Sequence, residues 1–391
     1  MAGAEYVREK EYFGDLPQAL VEELIAKSDR LGQVVVQSLQ GVNTLRESVR
    51  TRLESEELLR RFEDLPRVGE PTTCGVDGAC VVESLLGYDV VAAVGLATEG
   101  LTPPSEQRYW RDPHFCSFIN IEPHRQENRS YARALMVTFE LEQATKAPHE
   151  VVLLDGSFTT PITALHQALS QDALEHQRES STLLSLLTER ASEAVHHYYK
   201  ILVGERSDQM FVSIPKYTTK RELAEHIRLD QQLDDRALCT LILKPGEFVG
   251  PIPLGQPSKS GSGWSGYFLT EKFLSQDAVG AKKKVEQALS ENIRVIYFRA
   301  SAMNPALRVE ITKSVASNPH KLATVLAALR SQSAVPGIFE PYPLYYADQM
   351  AKSLGTAIPA LREILARAST RDYSGNISDV FFVLHGYRTE E

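Results

Sequence analysis

TTCGVDGACVVE, residues 72–83, places one carboxylate, Asp77, between Val76 and Gly78 in what otherwise reads as a buried β-strand. The phrase returns in HEVVLLDGSFTT, residues 149–160, where a run of Val and Leu ends in Asp155 and Gly156. Short apolar runs bounded by turn residues predict buried strands. An acid in such a place needs a reason. A turn explains either Asp-Gly alone; the pair, in the order of elements around it, points to one shared site.

That order is legible. After CGVDGAC come predicted strands at Asp89–Thr98 and Cys116–Pro123, a helix at Arg129–Lys146 and the strand VVLLD. Three strands, a helix, then a strand beside the first is the order of a ribonuclease-H-like core, an α/β fold with a mixed sheet and flanking helices. Helical patterns follow at Pro161–Ser170 and Leu183–Val203, then a strand at Met210–Pro215. Further strands are predicted at Ala237–Leu243, Ser265–Thr270, Ile293–Ala300 and Leu307–Ile311, with helices at His320–Ser331, Leu344–Leu354 and Ala357–Ala368. GPIPLGQPSKSGSGWSG, residues 250–266, reads as a loop. Upstream, Leu20, Leu24, Leu31, Val35, Leu39, Val42, Leu45, Val49 and Leu53 recur at helical spacing within a helical stretch from about Leu16 to Phe62, which Gly32 and Gly41 should break or bend. The expected organisation is a helical extension over residues 1–66, used for contact with a second copy or a partner, and a catalytic body over residues 67–391.

A chain of 391 residues with 43% hydrophobic content has ample core. No apolar run reaches the ~18 residues of a membrane span, and charges fill the N-terminus where a signal peptide has its apolar stretch, so a cytoplasmic protein is expected. The four cysteines form no C-x-x-C pair and read as free thiols, and the histidines form no H-E-x-x-H cluster. A formal net charge of −9 argues against a protein that coats nucleic acid by counterion release. Acids gathered around divalent cations would contribute to that charge, and local basic segments (Arg125, Arg129 and Arg133; Lys282 to Lys284) could meet phosphate, although each alone reads as a solvated face.

If the two Asp-Gly strands are neighbours, Asp77 and Asp155 lie side by side and repel unless a cation sits between them. Magnesium and manganese take such hard oxygen ligands, and two ions can stabilise both the attacking and leaving oxygens of a phosphodiester. A third acid is expected on the intervening helix. Glu140 and Glu142 are both candidates, and two residues apart they cannot face the same way.

The chain resembles the NurA family of DNA-end-processing nucleases. The resemblance is carried in order by GVDGA, RALMVTFELEQA, LLDGSF, FVSIPK with Lys216, LKPGEF, LRVEI and EPYPLYYAD. It implies a metal-dependent nuclease using manganese or magnesium, two ions, with 5′ to 3′ exonuclease and single-strand endonuclease action on DNA. It further implies a homodimer and a HerA-type hexameric ATPase partner, in DNA-end resection or in defence against foreign DNA. Carried over by residue, it makes Asp77, Glu140 and Asp155 metal ligands and Lys216 a charge-stabilising cation, with Asp348, at the position of a family His, expected as a fourth ligand. It favours Glu140 over Glu142 because the family's Glu precedes a small residue by four, here Ala144. The chain departs from the family with Asp348 where a His is usual, Glu340 where a Tyr is usual, and Ala79 for a Ser. Aspartate and histidine both ligate divalent cations, aspartate favouring the harder ones, and Glu340 either orients water or sits near a metal, or else faces solvent before the Pro-rich turn. Arg308 and Glu310, two apart on one strand, either pair with each other or offer Arg308 to phosphate. The alternative to an enzyme is a docking subunit of an ATPase complex that no longer cuts; an idle cluster of acids would then persist at a cost in repulsion.

Overall fold

The apolar runs of the sequence pair into a single sheet in the computed structural model, which describes residues 16–170, 180–204, 208–216, 220–229, 233–255 and 271–385. The strands are β1 (Leu59–Arg61), β2 (Thr73–Ser84), β3 (Tyr88–Glu99), β4 (His114–Pro123), β5 (Val151–Asp155), β6 (Met210–Ile214), β7 (Glu247–Pro253), β8 (Ile293–Phe298) and β9 (Leu307–Thr312). Their order is β1-β7-β8-β9-β6-β5-β2-β3-β4. β5 lies parallel to both β2 and β6, and the other pairings are antiparallel. The seven helices of ten or more residues among the described residues are α1 (Gln18–Ser55), α2 (Asn128–Lys146), α3 (Thr160–Leu169), α4 (Thr182–Leu202), α5 (Gln276–Glu291), α6 (Pro319–Gln332) and α7 (Tyr342–Asp372). With β2, β3 and β4 in antiparallel succession, α2 next, and β5 beside β2, the fold is the α/β ribonuclease-H-like order expected from the sequence.

Each face of the sheet carries its own helices. Val91 and Ala93 of β3 pack against Tyr131, Leu135 and Phe139 of α2, backed by Leu187 and Ala191 of α4. On the other face Ala351 and Ile358 of α7 cover Val94, Leu96, Val90 and Ala92 of β3. Leu322 and Leu326 of α6 cover Leu153, Val212 and Val309 on that face. Each such fully buried aliphatic chain contributes about 1.5–3 kcal/mol relative to exposure.

The chain divides into two units, one ending at Arg52 and the other beginning at Leu53. In the first, α1 runs unbroken through Gly32 and Gly41, contrary to the expected breaks. A Gly costs about 1 kcal/mol against Ala in a helix interior, which a helix of 38 residues absorbs. Leu24, Leu31, Val35 and Leu39 are exposed along it, while Val42 and Val49 are buried. The helix ends before Phe62 because Glu57 adopts a left-handed φ of 57° and Leu58 N–H bonds back to Leu53 O at 2.9 Å, a Schellman closure that frees Leu59–Arg61 to pair with β7.

Three other expectations are corrected. Ala237–Leu243 is not a strand: residues Asp235–Ile242 form a two-turn helix, capped by Asp234, whose side chain accepts from Ala237 N–H at 2.9 Å, and buried along Leu238, Cys239 and Ile242. The two C-terminal helices are one, α7, which passes through Pro359 because burial of Ile358 against Val90 and Ala92 holds it across the missing bond. Residues 250–253 of the expected loop belong to β7. The rest of that loop from residue 256, and the strand expected at Ser265–Thr270, lie outside the described residues.

Candidate metal centre

Asp77 is not at a strand end. β2 continues to Ser84, whereas β5 stops at Asp155, and the parallel register, ending with Val76 opposite Leu154, makes the two acids neighbours. In both, the carboxylate accepts from the N–H of the following glycine, at 2.8 Å for Asp77 and 2.9 Å for Asp155. The repeated Asp-Gly is thus one local arrangement used twice on adjacent strands.

Glycines bring the other groups in. A Cβ on Gly75 would lie 2.4 Å from the Pro343 carbonyl carbon, so only a bare backbone admits the first turn of α7. Seated there, with Thr98 Oγ1 donating to Pro343 O at 2.7 Å, α7 carries Asp348 to the acids of β2 and β5. Carboxylate oxygens of Asp77, Asp155 and Asp348 lie within 4.8 Å of one another. On the opposite face Gly78 and Gly95 pair directly, and a Cβ on either would meet α2 at Glu140 or Phe139, at 2.6–2.7 Å. Glu140 therefore lies under Gly78, beside the three-acid group and outside its mutual 4.8 Å radius. Glu142 points elsewhere: its oxygens accept from Lys146 at 2.5 Å and Arg190 at 2.7 Å.

Lys216 follows β6, and Arg236 holds its backbone by donating to Lys216 O. Its Nζ stands 3.2 Å from Asp155, 3.4 Å from Asp348, 3.0 Å from Glu340 and 4.0 Å from Asp77. Glu340, in the turn before α7, does not face solvent: its Oε2 is buried and pairs with the Lys216 ammonium. Burial, and after it the Asp155 carboxylate, push the Asp77 carboxyl up to about 8 against the pull of Lys216. Burial, Asp77 and Asp155 hold Glu140 well above the usual carboxylate range. Burial likewise raises Glu340, with Lys216 opposing. Asp348 goes the other way: burial resists, but the hydrogen bond from Lys352 and the charge of Lys216 hold it low. Burial disfavours the Lys216 ammonium, yet Asp155, Glu340 and Asp77 outweigh it and raise its pKa.

Four carboxylates within 4.0 Å of one half-buried ammonium, with Glu140 a fifth acid beneath Gly78, leave an excess of negative charge. Every donor is a hard oxygen, the set that suits magnesium or manganese better than zinc. The raised carboxyls of Asp77 and Glu140, crowded by burial and by each other, fit a site built for divalent cations. Ala79, in place of the usual Ser, packs with Val94, Leu96 and Ala351.

Arg308 does not face phosphate. It is buried and ion-paired with Glu310 and, at 2.8 Å, with Glu222. Glu310 in turn accepts from Ser157 Oγ at 2.8 Å and Phe158 N–H at 2.8 Å, which fixes the turn after Asp155. Sequence reasoning missed this support; the alternation Arg-x-Glu on a buried strand was its signal. Lys282, expected on a solvated face, is buried beside Glu271 and Glu286.

Residues 71–353 match the model of the NurA domain. Solved structures share the fold at low identity. The NurA nuclease from Sulfolobus solfataricus is 14% identical with a TM-score of 0.56, over 92% of this chain and 99% of that one. A NurA structure with manganese is 14% identical with a TM-score of 0.52, over 90% and 100%. A NurA structure bound to dAMP and manganese is 13% identical with a TM-score of 0.50, over 83% and 92%. No curated protein matches the sequence.

Proposed function

The chain belongs to the NurA family, and on that premise we propose that it is a metal-dependent DNA nuclease whose centre is Asp77, Asp155 and Asp348, with Glu140 and Lys216. The observation that carries this reading is the convergence of three aspartates from β2, β5 and α7 on one point with a lysine among them. Manganese in two of the solved NurA structures, and dAMP in one, support the choice of ion and substrate.

Asp77, Asp155 and Asp348 would hold manganese or magnesium, two ions in all, with Glu140 approaching from the other face of the sheet. Bound divalent cations supply an activated water and a stabiliser for the leaving oxygen of a phosphodiester. Lys216 places a positive charge where the attacked phosphate gains negative charge. Glu340 holds the Lys216 ammonium at that point, and Glu310 fixes the turn that carries Asp155. The 5′ to 3′ exonuclease and single-strand endonuclease polarity, the homodimer, the HerA-type hexameric ATPase partner and a role in DNA-end resection or defence rest on the family resemblance. A docking subunit without activity is disfavoured by Asp348, which stands with the other acids and has not drifted from them.

The test is cleavage of end-labelled linear DNA by the purified protein with manganese, magnesium or EDTA, beside Asp77→Asn and Asp155→Asn variants shown to be folded. Metal-dependent shortening lost in both variants is expected. Cleavage that persists in the variants would overturn the site. A wild type that stays silent even with the ATPase present would overturn the activity.

A further inference from the structure

The segment between β3 and β4 is pinned at the end of β3. Glu99, buried, accepts from Tyr109 N–H at 3.1 Å and Trp110 N–H at 2.9 Å. The Trp110 ring is braced by His114, stacked at 4.3 Å, and by buried His149, edge-on at 4.8 Å. In the first turns of α7, Tyr342 and Tyr346 hold near-parallel rings 6.0 Å apart. Trp110 and these two tyrosines line one cavity of about 330 Å³, together with Arg108 and Arg111.

The cavity adjoins the acids. Its floor includes Thr98, two residues along β3 from Leu96, which pairs with Asp77. Alternate residues share a face, so the separation is about 7 Å along the strand. On α7, Tyr342 adjoins Pro343, which packs over Gly75, two residues before Asp77 on the same face of β2, and Tyr346 follows one turn later. Preformed aromatic faces with cationic side chains beside them are the means by which proteins hold single-stranded nucleic acid: any base has a face to stack, and guanidinium groups meet the phosphates.

We propose that this cavity is a stacking subsite for one base of a DNA strand, seated beside the phosphodiester presented to the acids. The proposal rests on the nuclease reading and extends it to a strand-binding element that accepts any base and requires that base to be unpaired.

Fluorescence anisotropy of the full chain in EDTA, where the strand is not cut, tests it with a labelled oligothymidylate and an abasic strand of equal length. The wild type should bind the thymidylate about tenfold more tightly than the abasic strand. Tyr346→Ala, at a partly exposed position, should lose most of that preference, and Tyr346→Phe should keep it. Equal wild-type affinity for the two strands, no binding of either, or a preference unchanged in Tyr346→Ala would overturn the proposal. Manganese-dependent hydrolysis of bis(para-nitrophenyl) phosphate, which has no base, checks the nuclease reading separately: its absence in the wild type would sink that reading whatever the binding result.

Discussion

Lys216→Met removes the one ammonium that the structure sets among Asp155, Glu340 and Asp348, at 3.2, 3.0 and 3.4 Å. At an effective dielectric constant near 20, each contact is a gross attraction of about 5 kcal/mol. Desolvation of the lysine offsets much of that sum. Removing one partner of a buried charged group costs about 3–5 kcal/mol, and a Lys216 side chain still 22% exposed belongs at the lower end. The metal-free variant should therefore be about 3 kcal/mol less stable than the wild type, or about 4 °C lower in Tm for a chain of 391 residues. The assay is thermal unfolding in EDTA followed by circular dichroism. Lys352→Met is the control, because that side chain is 70% exposed and bonds only Asp348 one turn away; its effect should stay below about 0.5 kcal/mol. Manganese should then stabilise Lys216→Met more than the wild type, since the ions meet less competition. A Lys216→Met protein as stable as the wild type in EDTA would refute the reasoning, because the acids would then not depend on the lysine for neutralisation.

Gly78→Ala should cost about 1–3 kcal/mol in denaturant unfolding and abolish cleavage, as the new methyl meets Glu140 Oε1 and the Val94 carbonyl at 2.6–2.7 Å. Gly32→Ala in α1, with open space around it, should instead stabilise by up to about 1 kcal/mol. The Asp77 carboxyl, raised to about 8 by burial and Asp155, binds its proton more tightly folded than unfolded. Its stabilising contribution is thus full below about pH 4 and is lost as pH rises through about 8 in the metal-free protein. Manganese binding near pH 7 should accordingly release protons, read by titration calorimetry in buffers of differing ionisation enthalpy, with release fading by about pH 9. Glu140→Gln should weaken manganese binding in that titration, while Glu142→Gln, which loses only the pairs with Lys146 and Arg190, should leave it unchanged and shift stability by less than about 1 kcal/mol.

The two Asp-Gly strands were legible because an acid inside an apolar run is rare enough to demand a partner, and the order of strands and helix around them fixes which strands become neighbours. The choice of Glu140 was not legible from spacing alone. It depends on Gly78 and Gly95 lying opposite each other, a cross-strand register that a single sequence does not display. Glu340 stayed obscure for a similar reason. Nothing near it in the chain shows that Lys216, more than a hundred residues away, comes within 3.0 Å. The misread helix at Asp235–Ile242 carried an N-cap signal in Asp234, outweighed in the reading by its apolar run. The merged C-terminal helix shows tertiary burial of Ile358 overriding the breaker at Pro359.

The central claim is that Asp77, Asp155 and Asp348 hold the ions that do the chemistry. Anomalous diffraction at the manganese edge from crystals grown with manganese tests it directly. The account predicts density in contact with all three carboxylates, absent from Asp155→Asn crystals. Manganese bound elsewhere, with these three acids left to Lys216 alone, would contradict it.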